Sequence, residues 1–309
     1  MSHSTNVNKP AIQSVSQSKV PRNFVLLNCI DRAGQFSNVQ YGLTDEDNGV
    51  IGQQNLLAGK EDIITTSEFG FVRNSFSDVS SKIIAIIDRV DFIDLIARRD
   101  KGISVPSDLK GKKIGFVSKT SLEFFLSEYL TFNDLSLKDV SPINLPFSEM
   151  QESITTGKID AIVANDPYAF QIKKALGTNS ISWSVQNGQS VFSSVVSTDE
   201  FVKSHPQAIE RLLKALLRAE QFVKTNPNQA KKIMQDKLQF EQEYFDEVWR
   251  KNTFAVSLDQ SLLLAMEDEA RWTISNNLTN ATEVPNYLNY IYPDALKKVK
   301  PEAVTIIGE

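Results

Sequence analysis

The chain has 309 residues, enough for two domains of roughly 100 to 200 residues each or for one large α/β domain. Its 33 Lys and Arg against 38 Asp and Glu give a net charge of -5, which argues against a nucleic-acid-binding surface. One cysteine and two histidines leave little material for disulfides, metal sites or nucleophilic catalysis, so we expect no metal, no cofactor and no catalytic residue.

Residues 1–22 show no apolar periodicity and no secretory signal core, and the chain has no run near the ~20 apolar residues of a membrane span. We therefore predict a disordered leader or tether at 1–22 and a protein that is at most peripheral to a membrane. Short β-like runs then alternate with helical stretches, which is typical of parallel α/β layers. The predicted strands are 24–30, 39–43, 61–66, 82–87, 93–98, 113–118, 142–145, 160–164 and 180–183, with weaker candidates at 193–197 and 254–257.

From residue 198 onward the pattern changes to long helices, predicted at 206–225, 227–238, 242–252, 260–276 and 284–292. Two segments rich in turn-forming residues, 101–111 and 186–190, are predicted to be crossings between domains. One lobe is then built from 23–106 and 194–309, and a second lobe from 107–193. Two crossings make a hinge, and a hinge between two lobes makes a cleft that can hold a small molecule.

Polar side chains follow three predicted strands where a helix is about to begin. Thr66 and Ser67 follow the strand at 61–66, Ser118, Thr120 and Ser121 end or follow the strand at 113–118, and Asp166 follows the strand at 160–164. In open α/β sheets such positions collect ligands, and helix N-termini bind anions. The alternative for each position is a helix cap without ligand contact, because Ser, Thr and Asp are also the preferred capping residues.

Three stretches resemble the solute-binding proteins of ABC importers, in the subgroup for sulfonate, nitrate, taurine and thiamine precursors. They are DIITTSEFGFV at 62–72, LKGKKIGFVSKTSLEFFL at 109–126 and SEMQESITTGKIDAIVANDPYA at 148–169, and the closing VKPEAVTII at 299–307 also fits. The resemblance covers about residues 38–309. It implies an α/β protein with a type II periplasmic-binding-protein fold: two lobes joined by two hinge strands that close around a small solute.

The resemblance also implies the site. The ligand-facing residues would be Thr66, Ser67, Glu68, Ser118, Thr120, Ser121, Asp166 and Tyr168. Glu68 and Asp166 would bind an amine or hydroxyl of the solute, or else cap a helix or pair with Lys119. The expected solute is anionic and sulfonate-like, or pyrimidine-like. The expected protein is a monomeric, extracytoplasmic (periplasmic or lipoprotein) solute carrier whose partner is an ABC permease.

One region departs from the family pattern. The family has a proline-containing ligand loop and a helix after its first strand, whereas here only residues 31–37 separate the predicted strand 24–30 from the next strand. The sequence therefore predicts a shortened start of the first lobe and a cleft with one wall reduced.

Two alternative functions remain. The first is a ligand-sensing module that signals through a partner protein, whose isolated sequence would look the same. The second is an enzyme similar to thiamine-pyrimidine synthases, which depend on a Cys-rich segment, an active-site His and a pyridoxal cofactor. The single Cys29 and the absence of histidine from the three motifs argue against the enzyme.

Overall fold

The computed structural model describes residues 12, 14–18, 26–27, 42–46 and 49–307. The strands are β1 (Ser14–Ser18), β2 (Gly42–Glu46), β3 (Ile63–Ser67), β4 (Ser81–Val90), β5 (Ile93–Arg98), β6 (Lys113–Phe116), β7 (Ser141–Asn144), β8 (Ala161–Asn165), β9 (Ser180–Ser184), β10 (Val191–Thr198) and β11 (Asn252–Ser257). The helices are α1 (Gly49–Leu57), α2 (Glu68–Ser75), α3 (Ser121–Phe132), α4 (Met150–Thr155), α5 (Tyr168–Leu176), α6 (Asp199–Ser204), α7 (Pro206–Thr225), α8 (Pro227–Leu238), α9 (Gln242–Arg250), α10 (Gln260–Ser275) and α11 (Asp294–Val299).

These elements form two α/β lobes, each built on its own sheet. The first sheet has the order β11-β4-β10-β3-β1-β2, and the second has the order β7-β6-β8-β5-β9. In each sheet, parallel strands at one side are joined to antiparallel strands that come from the crossings between lobes. Two lobes around two mixed sheets agree with the predicted fold class.

The apolar runs in the sequence become the central strands. Ile83, Ile84, Ile86 and Ile87 in β4 are all essentially inaccessible to water. A strand that is apolar on both faces is stable only when helices cover both faces. Helix α7 provides part of that cover, since it packs on the first sheet with the predicted apolar stripe buried: Ile209, Leu212, Leu213, Leu216, Ala219 and Val223.

The chain crosses between the lobes at two places. The first crossing is at 91–92, between β4 and β5, and the second is at 185–190, between β9 and β10. The second lies where the sequence predicted it. The predicted crossing at 101–111 is wrong, because that segment connects β5 and β6 of the same sheet through short 3₁₀ turns. Turn-forming residues mark surface loops, and a surface loop can join two strands of one sheet as well as two lobes.

The lobe boundaries shift accordingly. Residues 93–106, predicted in the first lobe, carry β5 of the second sheet, and Val191, predicted in the second lobe, begins β10 of the first sheet. The side-chain amide of Gln186 joins the two crossings: its Oε1 accepts hydrogen bonds from the N–H groups of Phe92 and Ile93 at 2.6 and 2.9 Å, and its Nε2 donates to the Val90 carbonyl at 3.0 Å.

The start of the first lobe differs from the prediction. Residues 14–18, expected in a disordered leader, form β1, which pairs in parallel with β2 and β3 in the middle of that half of the sheet. Leu26 and Leu27, expected in the first strand, are helical and buried. Ile12, also expected in that leader, is buried, and the other residues of 1–22 and 24–30 lie outside the described residues. The predicted strand at 24–30 is therefore wrong at Leu26 and Leu27, whereas the shortened start of the first lobe stays a prediction.

The reason for this error is the composition of β1. Its sequence SVSQS contains one apolar residue, Val15, so no apolar alternation marks it as a strand. The run around Leu26 and Leu27 is apolar enough for a buried strand, but a short apolar run fits a buried helix equally well.

We predict that β1 is essential for folding. Val15 is fully buried between β2 and β3, so Val15→Asp would place a carboxylate in the core and reduce the free energy of unfolding by at least about 3 kcal/mol. Val79→Asp is the matched control, because Val79 is 75% exposed. Urea unfolding followed by circular dichroism measures both, and equal stability of the two variants would contradict the assignment of β1.

Candidate functional site

The lobes meet at a seam that contains a cluster of aromatic rings. Phe69 at the start of α2 and Trp272 in α10 belong to the first lobe, and Phe124 in α3 belongs to the second. The ring of Phe124 lies 6.1 Å from that of Phe69 and 5.6 Å from that of Trp272, and all three residues are buried. These rings contribute apolar contact that favours closed lobes.

A pair of buried carboxyl groups lies next to this cluster. Glu68 precedes Phe69, and Glu269 lies one helical turn before Trp272 on the same face of α10, which packs against α2. Both side chains are fully buried. Glu68 Oε2 accepts a hydrogen bond from the Phe192 N–H of hinge strand β10 at 2.9 Å. Burial and the neighbouring Glu68 carboxyl raise the pKa of Glu269 well above its ordinary value.

Several polar groups near this pair are buried without a hydrogen-bond partner. Thr66 Oγ1 and Ser194 Oγ belong to cross-strand neighbours of β3 and β10, and the indole Nε1–H of Trp272 is the third such group. Thr66 Oγ1 lies over the first turn of α2, since a Cβ atom on Gly70 would be only 2.8 Å from it. Buried polar groups in folded proteins are nearly always partnered, so these three atoms are candidate contacts for a bound solute.

Two of the predicted ligand hydroxyls cap helices, which is the alternative that the sequence left open for them. Ser67 Oγ accepts from the Gly70 N–H at 3.2 Å and begins α2. Thr120 Oγ1 accepts from the Leu122 N–H at 3.2 Å, donates to the Val117 carbonyl at 2.7 Å and begins α3. Ser118 and Ser121 are half-buried beside this cap, and the Ser118 N–H donates to Asn144 Oδ1 at 2.9 Å.

A hydrogen bond joins the lobes next to this loop. Arg73 in α2 donates from Nη1 to the carbonyl oxygen of Lys119 at 2.6 Å, and Lys119 has a positive φ of 62°. The Lys119 N–H in turn donates to Glu123 Oε2 at 2.6 Å. Lys119 therefore contacts Arg73 of the other lobe through its backbone carbonyl.

Asp166 is part of a network of ion pairs that spans the lobes. Lys251, at the end of α9 in the first lobe, lies 3.6 Å from Asp166 and 3.5 Å from Asp94 of the second lobe. Lys173 of the second lobe lies 2.6 Å from Glu247 of the first. The network thus contains three carboxyl groups and two lysines. Phe170 and Tyr244 pack beside it with ring centroids 5.4 Å apart.

Burial and neighbouring charges shift the pKa values of groups in this network. Burial raises the pKa of Asp166 to about 6, although Lys251 and Lys173 act to lower it. Burial disfavours the charge of Lys251, but the carboxylates of Asp166 and Asp94 outweigh that effect and raise its pKa. Asp166 therefore acts as a contact between lobes, and Tyr168 stacks on Phe147 of its own lobe at 5.2 Å.

The structure thus brings Thr66 and Glu68 together at the seam. Ser67 and Thr120 cap helices, and Asp166 takes part in the ion pairs between the lobes. Sequence reasoning missed Glu269, Trp272, Arg73 and Lys251. Glu269 had a signal: it interrupts the apolar stripe of α10 at a position where a surface helix buries Leu, Ala or Met. Within the described residues no group of three or more His, Cys, Asp and Glu is arranged to hold a metal ion.

Comparison with known proteins identifies the family. The sequence profile described as NMT1/THI5 like matches residues 42–230, more than half of the chain. The chain belongs to the NMT1/THI5-like family. A protein of Brucella abortus (strain 2308), provisionally named a binding protein, is 30% identical over 182 residues. That match covers 56% of this chain and 54% of the relative, so the chain spans about half the length of the curated relatives it matches.

Solved structures show the fold of this NMT1/THI5-like protein. The periplasmic aliphatic sulphonate binding protein SsuA from Escherichia coli superposes with a TM-score of 0.78 and 14% identity, over 93% of this chain and 99% of that one. The desulfurization enzyme DszB superposes with a TM-score of 0.68 and 14% identity, over 94% and 99%. The predicted type II periplasmic-binding-protein fold is confirmed, and with it the resemblance to solute-binding proteins of ABC importers.

None of the helices within the described ranges is both long and apolar enough to cross a membrane.

We predict that Asp166 makes the stability of the protein depend on pH. Its folded-state pKa of about 6 exceeds the ordinary 3.8, so its contribution to stability is full below about pH 4 and is lost as the pH rises through 6. The loss is at most about 3 kcal/mol. The variant Asp166→Asn lacks this effect. Its free energy of unfolding, relative to that of the wild type at the same pH, should therefore rise between pH 4.5 and pH 8.

Urea unfolding at pH 4.5, 6 and 8 measures the difference. Asp236→Asn, on the exposed side of α8, serves as the matched control and should run parallel to the wild type. Parallel profiles for Asp166→Asn as well would show that the Asp166 carboxyl keeps its ordinary pKa in the folded protein.

Proposed function

We propose that this protein binds a small solute at the seam between its lobes and delivers it to an ABC permease. The observation that carries the proposal is the set of buried, unpartnered polar atoms at the seam: Thr66 Oγ1, Ser194 Oγ and Trp272 Nε1. A buried polar group without a partner costs about 1 to 3 kcal/mol. A solute that hydrogen-bonds to these atoms would remove that cost.

Binding would be coupled to lobe closure. The lobes are connected at 91–92 and 185–190, and a rotation about these two segments opens the seam. Phe124 of the second lobe contacts Phe69 and Trp272 of the first, and a rotation that separates the lobes would break these contacts. A solute that touches both lobes therefore favours the closed state by its difference in affinity for the two states.

The proposed permease partner and location follow from the fold likeness. SsuA, which has this fold, is a periplasmic sulphonate binding protein, and the Brucella relative is named as a binding protein. We propose that this chain likewise works outside the cytoplasm as a monomer, peripheral to the membrane, and presents its solute to the permease.

We propose binding without chemical conversion, although DszB shows that an enzyme can have this fold. The seam, as far as the structure describes it, brings together carboxyls, hydroxyls and aromatic rings but no histidine. His205 is exposed at the start of α7, where its ring stacks on Phe201 at 4.5 Å. Hydrolytic or transfer chemistry normally needs a general base such as histidine beside a nucleophile.

Tryptophan fluorescence tests the proposal. The chain has three tryptophans, so the double variant Trp183→Phe, Trp249→Phe keeps Trp272 at the seam as its one fluorophore. We expect at least one solute from a set of cationic, neutral and anionic compounds to change Trp272 emission saturably and to raise the melting temperature. A solute at 100 times its Kd adds about 2.7 kcal/mol to the free energy of unfolding.

The matched control is Trp183→Phe, Trp272→Phe, which keeps Trp249. That residue packs on Phe254 within the first lobe, with ring centroids 5.0 Å apart, so its emission should not follow the titration. If no solute of any of the three charge classes changes Trp272 emission or the melting temperature, the solute-binding function is rejected.

A further inference from the structure

We infer that a row of contacts between α5 of the second lobe and α9 of the first holds the two lobes together before any solute is bound. We call this row the interlobe clasp; it comprises Asp94 and residues 166–174 of the second lobe and residues 241–251 of the first. The inference concerns the protein without solute, so it goes beyond the proposed function and does not depend on it.

One face of α9 carries the first-lobe half of the clasp. Glu241 and Lys251 flank this helix, and Tyr244 and Glu247 lie within it. Successive members are three or four residues apart, so they lie on the same side of the helix. At about 1.5 Å per residue the row is about 15 Å long. Each member contacts the second lobe, so the clasp is an extended contact and not a single ion pair.

Both lobes contribute charges of both signs to the clasp. Lys251 Nζ of the first lobe lies 3.5 Å from Asp94 and 3.6 Å from Asp166 of the second. Lys173 Nζ of the second lobe lies 2.6 Å from Glu247 of the first. Because each lobe holds a lysine that pairs with a carboxyl group of the other, the attraction acts in both directions and needs no solute.

Partial burial distinguishes these pairs from ordinary surface ion pairs. The side chains of Lys173 and Lys251 are each 23% exposed, and that of Asp94 is 12% exposed. Exposed ion pairs contribute little, because water and salt screen them. Charges withdrawn from water are screened less, so removal of one partner leaves the other buried and uncompensated. The pair of Lys174 and Glu241 is more exposed and contributes less to the clasp.

An aromatic side chain of the second lobe anchors the clasp. Phe170 packs against the hydrophobic core of the first lobe, where its ring centroid lies 5.4 Å from that of the buried Tyr244. The ring of Phe240 lies 4.7 Å from that of Tyr244 in turn. A rotation that moves α5 away from α9 would expose the apolar surface of Phe170 to water, which costs free energy in addition to the lost ion pairs.

One end of the clasp lies beside the hinge. The Lys251 carbonyl oxygen accepts a hydrogen bond from the Asp91 N–H of the first crossing at 3.0 Å. Among the residues that the structure describes, the ion pairs between the lobes all lie in the clasp. At the aromatic cluster the lobes are joined by ring contacts and by the hydrogen bond from Arg73 to the Lys119 carbonyl. The ion-pair attraction between the lobes is therefore concentrated on one side of the seam.

Such a clasp changes how the proposed solute carrier would work. Lobes that are already closed lose less conformational freedom when a solute binds, so the apparent affinity rises with the closed fraction. Entry of the solute requires the lobes to separate, so the clasp also slows association. The clasp thus favours retention of a solute over rapid capture.

Double electron–electron resonance on the solute-free protein tests the inference. Spin labels are attached at Thr178→Cys, after α5, and at Gln229→Cys in α8, which packs against α9; both positions are exposed, and Cys29→Ser removes the native thiol. We expect one main separation in this labelled parent, matching that in the structure. Lys173→Met and Lys251→Met together should raise the ratio of open to closed molecules at least about tenfold, seen as a second, longer separation.

Lys232→Met is the matched control, since it removes the same charge from an ion pair with Asp236 that lies entirely within α8. Its separation should stay that of the labelled parent. Circular dichroism shows whether each variant is folded. A salt titration of the labelled parent needs no substitution in the clasp. Raising sodium chloride from about 0.05 M to about 1 M, where the Debye length is only about 3 Å, should also increase the longer separation.

Three results would overturn the inference. The first is a labelled parent whose main separation at low salt is already that of open lobes. The second is a separation that neither the double variant nor high salt changes, since other contacts would then hold the lobes. The third is an equal shift in Lys232→Met. None of these results bears on solute binding, which Trp272 emission and the melting temperature measure separately.

Discussion

The connection between the lobes depends on one side chain, the amide of Gln186. It accepts hydrogen bonds from Phe92 and Ile93 and donates to Val90, so it fastens the second crossing to the backbone of the first. Its polar atoms are buried and satisfied, which makes this contact costly to break. The two crossings are therefore held side by side at one narrow place between the lobes.

Contacts on the two sides of the seam differ in how charge is compensated. On one side Lys173 and Lys251 neutralise Asp94 and Glu247, and Asp166 completes a balanced network when it holds its proton. Such a network can hold closed lobes without any ligand. On the other side no described basic side chain pairs with Glu269, and aromatic rings replace the lysines. Closure there is favoured by the apolar contact of the rings, although it also removes polar groups from water.

Much of the two-lobed fold could be predicted from the sequence, because apolar periodicity and capping residues act locally. The isoleucine-rich β4 and the stripe of α7 lie where their patterns placed them. The first strand could not be found, since one valine in SVSQS gives no alternation. The first crossing was misplaced because 91–92 is too short to carry a cluster of turn-forming residues. Contacts between residues that are distant in sequence, such as Arg73 and the Lys119 carbonyl, produce no local sequence pattern from which they could be predicted.

The candidate site shows why motifs of this family predict the frame better than the ligand. A hydroxyl before a helix satisfies backbone N–H groups whatever the solute, and Ser67 and Thr120 do so here. Glu269 is placed differently, since a fully buried carboxyl stands in the core stripe of α10. It lies outside 42–230, the part that matches the family. The family motifs therefore account for helix caps and for much of the two lobes, whereas some of the polar residues buried at the seam come from a helix that those motifs do not include.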